Sequence, residues 1–473
     1  MIRWAELHTS RCFSSKRTSR VFAAGLLLLL IAEGIPAQPK PWSIELARTL
    51  MTRFPDPNSY PWKTFSYPQG FMLEGFLKLR SYTGDKDSAY YKYVMKYAND
   101  RVDANGNIQG FGEGSLDDMM PGAILCWAYG QTRQQKYRTA AGKILQAHKN
   151  FAANGWIVSD GVPWHCSGCP GELWIDGTLM AEMLLIRYAQ YIGDSTYCFT
   201  AATKHLLAAY KRLRKSSNNL LYHAWDEDKN AGWANNSTGL SPEVWGEGLG
   251  WYALALVETM EALPLNHPKR DSIGILINSL ATGLKNAQDQ SGCWWDIVDK
   301  GGQQGNFTDA SGTSMFIYML QKGIESGTLV KATYDPVVTK AYECLKTKAK
   351  LNADNLVDIY DAHDGLPVQS GYSAYVNYPK TMNAKEAVAA FLWATAIVEK
   401  PGQTTVAAGG RGMQFVQRTL LHSGPVLAYT VLGRKIGAFA TPGEWASRCK
   451  KRGASGVYII RQSDIDAVDV CKQ

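Results

Sequence analysis

Carboxylates set beside tryptophan are the first groups to weigh in this chain. In Cys166-Ser-Gly-Cys-Pro-Gly-Glu-Leu-Trp-Ile-Asp-Gly-Thr-Leu-Met180, Asp176 stands two residues after Trp174. It opens an apolar run of helical period through Met180, Met183, Leu184 and Tyr188. An aspartate at such a start is ordinarily held by backbone donors and the helix dipole. The arrangement recurs, however. Asp117 and Asp118 precede one apolar run, Glu247 stands at the head of another, and Asp309-Ala-Ser311 at a third. The loops ahead hold Trp164 and His165, His223 and Trp225, and Trp294 and Trp295. Asp309 and Ser311 read as plain helix caps. The recurrence points to glycoside chemistry, where two carboxyl groups between aromatic walls serve as acid and as base or nucleophile. Apolar walls and neighbouring carboxylates both favour the protonated form that an acid catalyst needs.

The elements that must position these groups are helices. Apolar period and Gly, Asn or Pro stops predict twelve of them, over 44–53, 67–82, 87–97, 117–129, 134–151, 174–191, 196–213, 245–263, 270–288, 311–324, 337–348 and 384–399. Every second one, beginning near 67, 117, 174, 245, 311 and 384, follows a long loop rich in Gly, Asn and Trp. The partner helices follow short turns. A repeat of helix pairs predicts an all-α fold, an (α/α)6 barrel of six hairpins. Its long loops gather on one face, and the site belongs there.

Composition narrows the function. The chain has 473 residues, 45% hydrophobic and 11% aromatic, with 15 Trp and 24 Tyr, which suits a large packed core and sugar platforms alike. The first 37 residues carry five Lys/Arg and two Asp/Glu, and residues 401–473 carry ten and four, which leaves 38–400 close to neutral against a whole-chain charge of +8. A nucleic-acid binder would carry its basic surface on the folded body. Residues 1–37 read as an export signal: a basic stretch through Arg20, an apolar run from Phe22 to Ala32, and Ile35-Pro-Ala37 as the cleavage point. Export of the protein, to the periplasm, the medium or the cell surface, is therefore expected. Cys166 and Cys169 are then a local disulfide or a zinc half-site, with oxidising conditions favouring the disulfide. Cys449 and Cys471 are a second possible pair, and Cys126 is a buried thiol.

Taken together, these motifs resemble the unsaturated uronyl hydrolases, glycoside hydrolase families 105 and 88, from about Tyr67 to Lys400. The stretches that carry the likeness are Trp164-His165 with Glu172-Leu-Trp-Ile-Asp-Gly177, Leu221-Tyr-His-Ala-Trp-Asp226, Trp245-Gly-Glu-Gly-Leu-Gly-Trp251, Asn306-Phe-Thr-Asp-Ala-Ser-Gly-Thr-Ser314 and Ala384-Lys-Glu-Ala-Val-Ala-Ala390. The resemblance implies the (α/α)6 barrel and hydration of a C4=C5 double bond in the terminal uronic acid of pectin- or rhamnogalacturonan-derived oligosaccharides. The family's acid/base aspartate falls on Asp176. Its second aspartate falls on Asp117, with Asp118 as the alternative. His165 and His223 match histidines of the substrate pocket, and Trp174 and Trp251 match its aromatic walls. Tyr67 and Glu247 are further substrate contacts at the same helix heads. The reaction calls for no metal or organic cofactor. The chain departs from the family at Glu247 and Leu249, where arginine and asparagine are common. Two other readings stay open: an ordinary two-carboxylate glycosidase on a saturated glycoside, and a non-catalytic sugar-binding protein.

Beyond the helices, 401–423 reads as a linker by its Gly and Thr content. Residues 424–473 read as a small β-rich appendage, with alternating runs over 424–439 and 456–461. Its pattern resembles modules that some bacteria use for sorting or attachment to surface machinery.

Overall fold

The predicted helices differ in how much of their circumference is apolar, and the difference sorts them into two rings. The computed structural model describes residues 40–60, 65–84, 89–401 and four C-terminal strands. Its helices are α1 (Trp42–Arg53), α2 (Tyr67–Thr83), α3 (Ala89–Arg101), α4 (Gly122–Thr132), α5 (Gln135–Ala153), α6 (Gly177–Tyr191), α7 (Ser195–Leu213), α8 (Gly246–Ala262), α9 (Arg270–Ala287), α10 (Ala310–Glu325), α11 (Lys331–Lys346), the short α12 (Tyr372–Val376) and α13 (Lys385–Glu399). In α8 every residue from Gly246 to Met260 is buried, and in α13 every residue from Lys385 to Ile397. By contrast, α5 buries one stripe: Tyr137, Ala140, Ala141, Ile144, Leu145, His148 and Phe151. A helix apolar on all sides needs neighbours on all sides. Accordingly α2, α4, α6, α8, α10 and α13 pack each on the next, and α13 closes back on α2. Helices α1, α3, α5, α7, α9 and α11 cover them from outside, one against each inner helix. This is the (α/α)6 barrel. The inner helices come close enough at one point to require glycine: a Cβ on Gly312 of α10 would lie 2.8 Å from the backbone carbonyl of Gly246 in α8.

All twelve expected helices form, with three shifted starts. The sixth begins at Gly177, not Trp174, because Glu172 to Trp174 pair as a strand. The fourth begins at Gly122, not near 117, because Asp117 to Met120 form turns ahead of Pro121. The eleventh begins at Lys331 and carries Pro336 inside it. The proline fell where a helix start was expected, but its missing N–H costs only one bond near the first turn.

The long loops end in short antiparallel ribbons. Strand β1 (Glu172–Trp174) pairs with β4 (Ala224–Asp226), and β2 (Arg214–Lys215) pairs with β3 (Leu220–Leu221). Strand β5 (Trp294–Trp295) pairs with β6 (Thr308–Asp309), and β7 (Ala349–Leu351) with β8 (Val357–Ile359). The Cys166–Cys169 pair is a disulfide. A second disulfide, Cys293–Cys344, escaped the sequence reading because its partners stand 51 residues apart. Cys126 and Cys198 are free and buried. Among the described residues no helix is long and apolar enough to cross a membrane.

The tail forms an antiparallel sheet in the order β10 (Lys435–Phe439), β9 (Val426–Thr430), β11 (Gly456–Gln462), β12 (Ile465–Cys471). The β-rich reading of this segment therefore holds, and β12 adds a strand beyond the two expected runs. The export signal, the linker and the Cys449–Cys471 pairing lie outside the described residues.

Candidate active site

The ribbon β1–β4 sets the centre of the site. Its register places Trp174 opposite Ala224, so Asp176, two residues beyond β1, and His223, one residue ahead of β4, come side by side. The Ile175 amide donates to the His223 carbonyl at 2.9 Å and fixes that spacing. His223 Nε2 lies 3.1 Å from Asp176 Oδ2. His223 Nδ1 lies 2.8 Å from the Tyr375 hydroxyl of α12, and its ring packs on Trp245 at 4.5 Å. The imidazole is thus clamped on three sides and 1% exposed.

A second pair stands opposite. His165 is drawn in by backbone bonds to Leu116 and Glu172. Its ring stacks on Trp174 with centroids 4.5 Å apart and planes 9° apart. The Trp174 indole donates to Glu172 at 2.6 Å, which holds that wall in place. His165 Nε2 lies 3.6 Å from Asp117 Oδ1. Burial opposes the imidazolium, but Asp117, then Asp176 and Glu172, outweigh it and raise the His165 pKa.

These groups face a cavity of about 210 Å³ lined by Tyr67, Asp117, His165, Trp174, Asp176, Met180, Trp245, Glu247, Trp251 and the loop Gly365–Pro367. Seven of the eight named site residues therefore line one cavity at the heads of the inner helices. His223 is the exception: its ring stands behind Asp176, with Nε2 3.1 Å from the carboxyl. The other edge of the ring is turned toward Tyr375, which Nδ1 meets at 2.8 Å. Asp118, the alternative to Asp117, turns away to bond with Ser66 and the Gly112 amide. Burial, with Asp117's charge added, raises it to about 6. Asp309 caps α10, accepting from Gly312 N and from Ser311 Oγ at 2.7 Å. Trp225 is buried under the Arg212 guanidinium at 4.3 Å, and Trp295 lines a separate groove with Asn218 and Asp299. Among the described residues no cluster of His, Cys, Asp and Glu is arranged to hold a metal ion.

The floor holds residues the sequence reading passed over. Tyr67 donates to Glu386, and Lys385 Nζ bridges Glu386 and Asp364, each at 2.9 Å. Lys385 and Glu386 begin the last inner helix, so the rule that found the other heads would have found them. Tyr375 and the Gly365 loop carried no such signal.

This geometry matches known proteins. The family model for Glycosyl Hydrolase Family 88 matches residues 42–401. A protein of Agrobacterium fabrum is 32% identical over 144 residues, 30% of this chain and 60% of the relative. An unsaturated rhamnogalacturonyl hydrolase of Bacillus subtilis is 27% identical over 237 residues, 50% of this chain and 64% of the relative. The chain thus spans less than two thirds of the length of these curated relatives. A solved family 105 glycoside hydrolase from C. acetobutylicum superposes with TM-score 0.70 at 27% identity, over 76% of this chain and 99% of that one. An unsaturated glucuronyl hydrolase from Bacillus sp. GL1 shares the fold, with TM-score 0.54 at 15% identity over 76% of this chain and 95% of that one. With the family model covering the whole barrel and a related barrel solved, the chain belongs to glycosyl hydrolase family 88.

Proposed function

We propose that the protein removes an unsaturated uronic acid from the non-reducing end of an oligosaccharide by hydrating its C4=C5 enol ether. The observation that carries this reading is the Asp176 carboxyl, set at the cavity wall against buried His223, with Asp117 and His165 as a second pair on the same cavity. Asp176 gives its proton to C4, and water adds its oxygen at C5. The resulting hemiketal opens to a C5 ketone and leaves a hemiacetal at C1, which collapses to the C1 aldehyde and frees the next sugar as an alcohol. The water's spare proton returns to Asp176, acting now as base. Trp174 and Trp251 supply flat faces for the ring, and His165, stacked on Trp174, holds that wall in place. The name of the Bacillus subtilis relative points to rhamnogalacturonan fragments left by lyases as the source of substrate.

The test uses lyase-digested rhamnogalacturonan and follows the ultraviolet absorbance of the double bond. The parent protein abolishes it, and Asp176→Asn slows that loss by at least about a hundred-fold, the low end for removing a general acid. An unchanged signal with the parent, alongside sugar release from saturated glycosides, would establish the two-carboxylate glycosidase instead.

We also read the N-terminus as an export signal. The two disulfides support this, since such bonds persist outside the reducing cytosol. The C-terminal sheet is our candidate for contact with sorting or surface machinery.

A further inference from the structure

Successive side chains of a strand face opposite ways, and the two tryptophans of β5 have opposite surroundings. Trp294 belongs to the barrel core, 1% exposed, and its indole donates to the Leu284 carbonyl at 2.7 Å. Asp296, the next inward residue, accepts the indole of Trp245, a wall of the catalytic cavity, at 3.1 Å. Trp295 stands between them and outside that core. It is half-buried and lines an open groove at the C-terminal end of α9, about four times the size of the catalytic cavity, 850 against 210 Å³. The ring is held in place. Gly301 lies so near that a Cβ there would come 2.8 Å from Trp295 Nε1, and the Asp289 carboxyl accepts a hydrogen bond from the indole. The Cys293–Cys344 disulfide pins the chain just ahead of the strand. A side chain fixed in advance loses little freedom when a ligand lies against it.

The rest of the lining narrows what that ligand is. Asn286 and Gln290 are exposed on the same groove, and each amide offers donors and an acceptor. Two carboxyls, Asp289 and Asp299, line it, and among the described residues no Lys or Arg does. The neighbouring cation, Lys215, is taken up by Asp299 at 2.7 Å. An anion would meet uncompensated negative charge here. A pyranose has a face of C–H groups for the indole and a rim of hydroxyls for the amides. We propose that this groove is a second carbohydrate-binding site, distinct from the catalytic cavity, which holds an uncharged stretch of oligosaccharide on Trp295 with Asn286 and Gln290 as its polar partners. Its volume has room for several rings. The assignment stands apart from the hydration chemistry, which acts on a charged terminal sugar in the other site.

The experiment is a calorimetric titration of the full chain carrying Asp176→Asn, so that no probe is turned over. The probes are neutral tetrasaccharides of galactose, glucose, arabinose and rhamnose, with saturated tetragalacturonate as the charged comparison. At least one neutral probe should bind, with Kd no weaker than about 10 mM. Adding Trp295→Ala should weaken that binding at least about ten-fold, equivalent to about 1.4 kcal/mol, while Trp295→Phe restores part of it. Adding Asn286→Ala with Gln290→Ala, two exposed positions that leave the core untouched, should weaken it about five-fold, the effect of one net hydrogen bond. This pair carries the test if Trp295→Ala lowers Tm. Failure of every neutral probe to bind overturns the assignment. So does binding that neither set of groove variants weakens, since it then lies in the catalytic cavity. Tetragalacturonate that binds more tightly than the neutral probes and depends on Trp295 overturns the choice of an uncharged ligand. None of these outcomes touches the hydrolase reading, whose signal is the loss of the double bond.

Discussion

At the residue scale the site is two carboxyl–histidine pairs of unlike character. Asp176 with His223 is closed off, and the buried Tyr375 hydroxyl, 152 residues further along, holds the imidazole from behind. Asp117 with His165 is more open, since Asp117 keeps 30% of its side chain exposed. Because the folded pKa of His165 is raised, protonation there stabilises the fold. That stability is complete below the unfolded imidazole value, about 6.5, and is lost as pH rises through the higher folded value. Asp117→Asn removes the largest anion and leaves burial dominant. The His165 pKa, followed by nuclear magnetic resonance of its ring protons, should then fall by at least about one unit; a titration that does not move would show that Asp117 is not the partner. Tyr67, Asp117, Asp176 and Glu247 were legible from the sequence because each sits at or just ahead of a helix head, and His165 and Trp174 because they lie in the segment leading to one; the head of a helix is encoded locally. Tyr375 and Gly365 were not, because the loop before α13 crosses the cavity on tertiary contacts that no nearby residue signals. Gly365 holds a left-handed φ of 69° beside Lys385, a position where its own turn, not its neighbours in sequence, decides the conformation.

At the element scale the twelve helices were legible because the apolar period and the Gly, Asn and Pro stops agree in nearly every case. The failures lie where those signals separate, as at Pro336, which sits inside a helix that its neighbours impose. What the period does not show is how the inner ring is tied at the end opposite the cavity. There Arg187 of α6 reaches Glu74 of α2 at 3.1 Å and Glu258 of α8 at 2.9 Å. Lys78 of α2 meets Glu258 at 2.7 Å, and the Tyr318 hydroxyl of α10 donates to it at 2.6 Å. Burial opposes the Glu258 charge, but Lys78, Arg187 and Lys322 hold its carboxyl below the usual range. Its contribution is therefore present above the unfolded carboxyl value and fades as pH falls through the depressed one. Arg187→Met strands the buried Glu74 carboxylate and takes one of two cations from Glu258, and should cost about 3–5 kcal/mol in denaturant unfolding. As a control, Lys331→Met in an exposed pair with Asp335 should cost under about 0.5 kcal/mol. Equal losses would mean that the buried network adds nothing beyond an exposed pair.

At the scale of the whole molecule the barrel is closed by its own two ends. Glu399, the last residue of α13, accepts the backbone amides of Trp42 and Ser43 at 2.8 Å each, 357 and 356 positions away, and the Tyr342 hydroxyl at 2.6 Å. One carboxylate thus caps the first outer helix, whose early N–H groups would otherwise lack partners, and joins it to α11. Lys400 then turns the chain out of the helix in the left-handed region. Everything this closure needs lies between Trp42 and Lys400, nearly the span that the family model matches. The solved C. acetobutylicum relative is covered over 99% of its length while it covers 76% of this chain, so a barrel of this family stands without a counterpart to the remainder. A protein cut to residues 40–401 should therefore keep its helical circular dichroism. Its Tm should stay within about 3 °C of the full chain's, the scale of a change of roughly 1 kcal/mol in a large domain. It should also consume unsaturated uronides within about two-fold of the parent rate, or about 0.4 kcal/mol in the barrier. A truncated protein that folds but turns over substrate ten-fold more slowly would place part of the working site in the C-terminal sheet. One that aggregates would show that the tail covers apolar surface of the barrel, and the barrel's independence would have to be abandoned.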